Sequence, residues 1–242
     1  MYPENTLLAF EKAKNLKGLI GIELDIQLTR DGEIVVIHDE KVDRTTDGVG
    51  YVKDHTLADL KRLKIDAGNG VYKQIPTMGE VIELLEGSMK KGLKLNIELK
   101  NSVFRYEGME EKIISLIEGR NLSGSVIYSS FYAESLKKIR GLEPNASIGI
   151  LDAKVSDCLY KLKGGCGADA LHPYWRGMDL PREALDGFAV RAWFGGHLYP
   201  EKPTGTKMDL DRLEEQGITD VFLNEPERYL EEQEHTCTKS LE

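Results

Sequence analysis

Cysteine is scarce in this chain of 242 residues, which contains three: Cys158, Cys166 and Cys237. An odd and widely spaced set supplies neither a disulfide framework nor the spacing of a zinc site. The pattern therefore argues against a small disulfide-bonded secreted domain and favours a reducing compartment, so we expect a cytoplasmic protein. We interpret Cys158 and Cys166 as ordinary packing residues.

Long apolar runs are also missing. No stretch approaches the ~20 apolar residues that a membrane-spanning helix needs, and the first residues lack the basic and then apolar pattern of a signal peptide. Basic residues are in the minority, because 32 Lys and Arg face 41 Asp and Glu for a net charge of −9. Such a surface repels nucleic acid and anionic membranes at long range. We expect neither a nucleic-acid partner nor stable membrane insertion.

Alternation of short apolar segments with amphipathic ones dominates the remainder. This order is typical of βαβ units and a parallel sheet, and about 250 residues is the usual size of a (β/α)8 barrel. We therefore predict an α/β fold, a TIM barrel occupying residues 1–242 as one domain. The predicted barrel strands are Leu19–Leu28, Leu93–Lys100, Ser125–Ser130, Ser147–Leu151, Ala168–His172, Ala189–Phe194 and Ile218–Asn224.

These predicted strands number seven instead of eight, and the chain opens in a helix that should follow a strand. The missing strand is thus the first, which leaves two open edges in the barrel and predicts weak stability or self-association through them. Residues 43–76 are rich in turn residues and are predicted to be a small insertion after the second barrel strand, with one short helix at about Leu57–Lys64.

One predicted strand carries polar residues where a buried parallel strand should be apolar. In residues 21–28, Glu23, Asp25 and Gln27 share one face, and the apolar residues between them share the other. Because the apolar face must meet the surrounding helices, the polar face is predicted to point into the barrel. The alternative is a half-exposed antiparallel strand with its polar residues in water.

The second predicted barrel strand in this chain repeats the pattern, with Asn96, Glu98 and Lys100 on one face. Buried charges are costly unless they are paired or bound to a metal. Three carboxylates near the ends of two strands, Glu23, Asp25 and Glu98, together with a nearby lysine, predict a hard-cation site. Ligands that are all oxygen favour Mg²⁺ or Ca²⁺ over zinc.

A histidine ends the apolar run at residues 34–37. His38 at the end of a strand is a candidate general acid or base. Considered alone, a histidine here is more often a core histidine with its hydrogen bonds satisfied. Asp39 could orient this histidine or cap the following turn.

Taken together, these segments resemble the glycerophosphodiester phosphodiesterase family. The match is dense over residues 3–100 and thins beyond residue 130. The segments that carry it are Pro3-Glu4-Asn5-Thr6, Gly21-Ile22-Glu23-Leu24-Asp25, Gln27-Leu28-Thr29, Val36-Ile37-His38-Asp39, Asp43-Arg44-Thr45-Thr46-Asp47-Gly48 and Asn96-Ile97-Glu98-Leu99-Lys100.

The resemblance implies a (β/α)8 barrel that hydrolyses small glycerophosphodiesters to an alcohol and glycerol 3-phosphate with the help of a divalent metal, Mg²⁺ or Ca²⁺. For Phe131 and Trp193, aromatic packing at strand ends is the alternative interpretation. The implied site residues are the metal ligands Glu23, Asp25 and Glu98, the acid–base residue His38, the phosphate-binding residue Lys100, and the pocket residues Phe131 and Trp193.

The chain departs from the family pattern at its start. A His-Arg-Gly motif normally ends the first strand of the family, a few residues before Pro3, and this chain begins at Met1. We therefore expect a retained metal site but impaired catalysis. Two alternatives are a degenerate barrel that binds a phosphodiester or a metal without turnover, and a related phosphodiesterase acting on lysophospholipid or sphingolipid head groups.

Overall fold

A curled, mostly parallel β-sheet organises the molecule, which we describe from a computed structural model at residues 2–194 and 208–230. The strands are β1 (Gly21–Leu28), β2 (Ile34–Val36), β3 (Ile65–Asp66), β4 (Tyr72–Lys73), β5 (Lys94–Leu99), β6 (Val126–Ser130), β7 (Ser147–Asp152), β8 (Ala170–Pro173), β9 (Ala189–Trp193) and β10 (Asp220–Phe222). The α-helices are α1 (Leu7–Ala13), α2 (Leu57–Leu60), α3 (Met78–Met89), α4 (Met109–Glu118), α5 (Ala133–Leu142), α6 (Val155–Lys163) and α7 (Leu210–Glu215).

The large sheet has the strand order β10-β9-β8-β7-β6-β5-β1-β2. Its members run parallel except β2, which pairs antiparallel with the end of β1. Seven parallel strands alternating with helices confirm the predicted α/β barrel type. In the part of the chain that the structure describes, β10 and β1 do not pair with each other.

The apolar faces of the strands meet the helices, as the alternation predicts. Leu24 and Ile26 of β1 are fully buried and join Val81, Ile82 and Leu85 of α3 in the main hydrophobic core. Helix α3 begins at the predicted capping box, since the Thr77 hydroxyl accepts from the Glu80 N–H and the Glu80 carboxylate accepts from the Thr77 N–H. This core fixes the side of β1 that faces the barrel interior.

A second and smaller hydrophobic cluster lies beside β2. Val35 and Ile37 pack there against buried residues of the segment 42–75, among them Val52 and Leu60. Helix α2 is shorter than the predicted span Leu57–Lys64, because the chain turns after Leu60 to form the β3–β4 hairpin. The assignment of residues 43–76 as an insertion within one domain stays a prediction.

The structure tests the interpretation of two of the cysteines. Cys158 and Cys166 are buried and free, as predicted for packing residues, and burial raises the pKa of the Cys158 thiol to about 12. Cys237 lies outside the described residues.

Among the described helices, none is long and apolar enough to cross a bilayer.

Candidate active site

The two polar strand faces meet in register. Strands β1 and β5 pair in parallel, so that Glu23 lies opposite Asn96 and Asp25 lies opposite Glu98. In-register residues on neighbouring parallel strands point to the same face of the sheet. One carboxylate oxygen from each of Glu23, Asp25 and Glu98 consequently lies within 4.8 Å of the others.

These carboxylates are poorly supplied with positive charge. Asp25 and Glu98 are buried, and Glu23 is partly buried. Burial and then the neighbouring carboxylates raise the pKa of Glu23 well above its usual value, and burial likewise raises the pKa of Glu98. Within the described chain, Asp25 Oδ1 is buried without a hydrogen-bond partner. The group is therefore short of a cation.

Lys100 supplies the one nearby positive charge that the sequence predicts. Its Nζ lies 3.0 Å from Glu98 Oε1 and 3.8 Å from Asp25 Oδ1. Burial alone would lower the pKa of Lys100, but Glu98 and then Asp25 outweigh burial and raise it above its ordinary value. The ammonium thus stays charged at the edge of the carboxylate group.

His38 lies beside this lysine, with its Nε2 3.3 Å from Lys100 Nζ. Its Nδ1 is 2.7 Å from Asp39 Oδ1, so the aspartate orients the ring, one of the two roles considered from the sequence. Arg44 in turn donates to Asp39 from Nε at 2.6 Å and forms an ion pair with Glu4. Hydrogen bonds to Glu4 and Asp39 outweigh burial and raise the pKa of Arg44.

Asn5 is a site residue that the sequence analysis missed. Its Nδ2 donates to Asp25 Oδ2 at 2.9 Å, and its Oδ1 accepts from the Asp25 N–H at 3.3 Å. Its backbone is in the left-handed region, with φ of 51°, a conformation that asparagine tolerates better than most residues. The sequence signals were its place in the matching segment Pro3-Glu4-Asn5-Thr6 and its position directly before Thr6, the N-cap of α1.

The two predicted pocket aromatics lie on the wall of the same cavity as the carboxylates. This cavity measures about 1870 Å³ and is lined by Glu23, Asp25, His38, Lys100, Phe131 and Trp193 among others. The rings of Phe131 and Trp193 meet edge to face, with their centroids 6.0 Å apart. Trp193 also packs on Tyr174 and donates from its indole N–H to the Asp152 carbonyl at 3.3 Å. The structure thus brings every predicted site residue to one cavity.

A buried polar network follows directly after Lys100. Asn101 donates to Glu110 at 2.9 Å and to the Ser135 hydroxyl at 2.6 Å, and the Ser130 hydroxyl donates to Asn101 Oδ1 at 3.1 Å. All four residues are buried. These contacts join the ends of β5 and β6 to α4 and α5. They also escaped the sequence analysis, because nothing local marks Glu110 as the partner of Asn101.

Comparison with known proteins gives consistent matches. The model of the glycerophosphoryl diester phosphodiesterase family matches residues 1–160. A glycerophosphodiester phosphodiesterase of Caldanaerobacter subterraneus subsp. tengcongensis is 38% identical over 93% of this chain and 90% of its own length. A glycerophosphodiester phosphodiesterase of Bacillus subtilis is 36% identical over 94% of this chain and 80% of its own length.

Solved structures agree on the fold. A phosphodiesterase of Oleispira antarctica, in complex with the product sn-glycerol-3-phosphate, superposes with a TM-score of 0.73 at 25% identity, covering 91% of this chain and 87% of that one. A glycerophosphodiester phosphodiesterase of Parabacteroides distasonis gives a TM-score of 0.73 at 20% identity, covering 98% and 92%. The sequence matches, together with this fold and this group of carboxylates, show that the chain belongs to the glycerophosphoryl diester phosphodiesterase family.

Proposed function

We propose that this protein hydrolyses glycerophosphodiesters to an alcohol and glycerol 3-phosphate, using a divalent metal. The observation that carries the proposal is the set of three carboxylate oxygens within 4.8 Å of one another beside Lys100 and His38. The activity named for the relatives, and the product held by the Oleispira antarctica phosphodiesterase, support the substrate class.

The donor set fits a hard divalent cation. Glu23, Asp25 and Glu98 offer only oxygen, the atom that Mg²⁺ and Ca²⁺ prefer. In the described residues the Asp25 Oδ1 atom is buried and unbonded, and a buried acceptor without a partner is costly. A bound metal would act as a Lewis acid on a phosphate oxygen and as a template for the substrate. We propose Mg²⁺ or Ca²⁺ without preference between them.

The protein's own groups would divide the remaining work. The Lys100 ammonium, charged and partly buried beside the carboxylates, would bind a phosphate oxygen and stabilise its growing negative charge. His38 holds Nδ1 against Asp39, so its Nε2 is the atom that would take up or give back a proton at the reacting oxygen. Phe131 and Trp193 would pack on the glycerol or the leaving alcohol.

We also propose that turnover is slow. His38 is the one histidine among the described residues lining the cavity. A second acid–base group beside it would typically be worth ~10²–10⁴-fold in rate, so we expect turnover with His38 alone to be slower by about that factor. The same observation favours a second candidate function, binding of a phosphodiester or a metal without turnover.

An assay of the purified protein separates these functions. Glycerophosphocholine would be incubated with Mg²⁺, with Ca²⁺ or with EDTA, and released glycerol 3-phosphate would be measured. Slow release of glycerol 3-phosphate that needs a divalent ion, and that is lost in the Asp25→Asn variant, supports the proposed hydrolase activity. Saturable binding of glycerophosphocholine without any release supports the binding function. Release that EDTA leaves unchanged contradicts the metal.

Self-association and a cytoplasmic location stay predictions of ours. Strands β1 and β10 line the cavity of the carboxylates, and within the described chain they do not pair with each other. Strand β2 pairs only with the end of β1, at residues 26–28, so the side of β1 before that pairing and the outer side of β10 are open edges among the described residues. Open edges of this kind template pairing with another chain. Light scattering during size-exclusion chromatography should therefore show a mass that rises with concentration, and a constant monomer mass would contradict self-association.

A further inference from the structure

Three consecutive backbone carbonyls around His38 converge on one side-chain amide. Gln27 Nε2 lies 3.1 Å from the carbonyl oxygen of Ile37, 3.1 Å from that of His38 and 2.6 Å from that of Asp39. Carbonyl oxygens that point at one place repel each other unless a donor lies between them. The Gln27 amide is that donor, and its side chain is fully buried.

The oxygen end of the Gln27 amide also has a hydrogen-bond partner. The Tyr106 hydroxyl donates to Gln27 Oε1 at 2.9 Å, and Tyr106 is itself buried. Burial, followed by the charge of Glu40, raises the pKa of Tyr106, so its hydroxyl keeps the proton that it donates. Partners on both ends fix which end is nitrogen, since the nitrogen must face the carbonyls and the oxygen must face the hydroxyl.

Gln27 belongs to the strand that carries two of the carboxylates. It follows Asp25 by two residues on β1, whose pairing with β2 includes Gln27 opposite Val35. The Ile37 N–H donates to the Asp25 carbonyl at 3.0 Å and starts the same loop. The amide therefore ties the backbone of His38 to the backbone of the carboxylate strand.

We infer that Gln27 is a positioning residue, which sets the distance between His38 and the carboxylate group by binding the loop carbonyls of residues 37–39. The inference rests on the proposed function, since it assigns His38 to the proton transfer. Gln27 itself does not touch the reacting atoms. Its loss leaves Glu23, Asp25 and Glu98 in place and displaces only the loop that carries the imidazole.

The test uses two variants of Gln27 in the full chain. Gln27→Met keeps the length of the side chain and removes every hydrogen bond, and Gln27→Glu places an acceptor against three carbonyls. Displacement of a reacting group by about 1 Å can cost ~10²-fold in rate. We expect kcat to fall by about that factor in Gln27→Met and further in Gln27→Glu, with KM and Ca²⁺ affinity by calorimetry unchanged.

Two further variants separate positioning from simple loss of stability. Tyr106→Phe removes only the bond to Gln27 Oε1 and should lower kcat less than either Gln27 variant. Ile82→Val removes one methyl group from the fully buried core of α3 and should lower the melting temperature without changing kcat. If Gln27→Glu does not fold, Gln27→Met and Tyr106→Phe still decide the question.

Two results in solution would overturn the inference. One is a wild-type kcat in Gln27→Met. The other is a loss of Ca²⁺ affinity as large as the loss of kcat, which would place the defect in the carboxylates. A wild-type protein without hydrolysis would instead refute the proposed function. In that case crystal structures of the wild type and of Gln27→Met still test the inference. The distance from His38 Nε2 to Lys100 Nζ, 3.3 Å in the wild type, should be longer in the variant. An unchanged distance would overturn the inference.

Discussion

Titratable side chains are buried at two places in this sheet, and at both places burial disfavours the charged form, which raises the pKa of a carboxyl group and lowers that of an imidazole. At β1 and β5, burial raises the pKa of Glu23 and Glu98, and these groups face a cavity with the Lys100 ammonium beside Glu98. At β8, burial and then the charge of Arg191 lower the pKa of His172 to about 3. That imidazole stays neutral and accepts from Arg191 at 3.3 Å.

The two places differ in what surrounds the buried groups. The ring of His172 fills the space above Gly149, where an added Cβ would lie 2.2 Å from it, and it meets the ring of Phe222 at 5.4 Å. The carboxylates instead border a large cavity. A titratable residue in a barrel strand is therefore a candidate for chemistry when its face opens on a cavity that also holds other charges.

The largest effect is expected from Asp25→Asn. A metal is worth several kcal/mol of charge stabilisation, so we expect phosphodiesterase activity to fall by at least about 10³-fold. Calorimetry should show that the variant binds Ca²⁺ or Mn²⁺ far more weakly than the wild type does. An Asp25→Asn variant with unchanged divalent affinity would show that the carboxylates do not hold the metal.

The two histidines should differ sharply when each is replaced by glutamine. His38→Gln should lower kcat by about 10²–10⁴-fold, the usual worth of an acid–base group. His172→Gln should leave kcat near the wild-type value and lower only the melting temperature, since the side chain of His172 packs against Gly149 and Phe222. Equal losses of kcat in the two variants would remove the distinction between the two places.

Gly149→Ala tests the packing at His172 directly. The added methyl group cannot fit beside the imidazole, and overpacking of this kind costs about 1–3 kcal/mol of unfolding free energy. Chemical denaturation should show this loss, and divalent affinity should not change. The double variant with His172→Ala should recover part of the loss, and a double variant no more stable than Gly149→Ala would contradict the clash.

The smallest predicted effect is a dependence of stability on pH. The pKa of Glu23 and Glu98 is raised by folding, so the stability these groups contribute is full below about pH 4.3, their unfolded value, and is lost as pH rises through the raised pKa. Folding lowers the pKa of His172, so this residue makes stability depend on pH in the opposite direction. Its contribution is full above about pH 6.5 and is lost as pH falls toward its folded pKa of about 3.

Melting curves of the metal-free protein at about pH 5 to 8 measure this dependence. Glu23→Gln should weaken the decline of stability toward high pH, and addition of Ca²⁺ near neutral pH should reverse it, because the ion replaces protons at the carboxylates. A decline that Glu23→Gln leaves unchanged would assign the pH dependence to other groups.

The sequence predicts the part of the site that depends on strand periodicity. Alternation alone places Glu23 and Asp25 on one face of β1, and it places Glu98 of β5 and Lys100, directly after β5, on the corresponding face. The βα alternation likewise predicts seven parallel strands, which the described residues confirm. Both predictions succeed because a parallel sheet covered by helices must bury apolar residues on its outer face.

Contacts made by loops could not be predicted in this way. The ion pair of Arg44 with Glu4 joins residues forty positions apart, and the bond of Asn5 to Asp25 needs a left-handed backbone at Asn5. No period or local propensity encodes such pairs, because they depend on where two loops meet. Gln27 shows the same limit, since its position on the polar face was predicted and its carbonyl partners were not.

A crystal structure of the protein soaked with Mn²⁺, recorded with anomalous scattering, tests the central claim most directly. We predict one ion bound by an oxygen from each of Glu23, Asp25 and Glu98, at about 2.0–2.6 Å, the range of hard divalent cations. An anomalous peak elsewhere, or none at these carboxylates at saturating Mn²⁺, would contradict the claim.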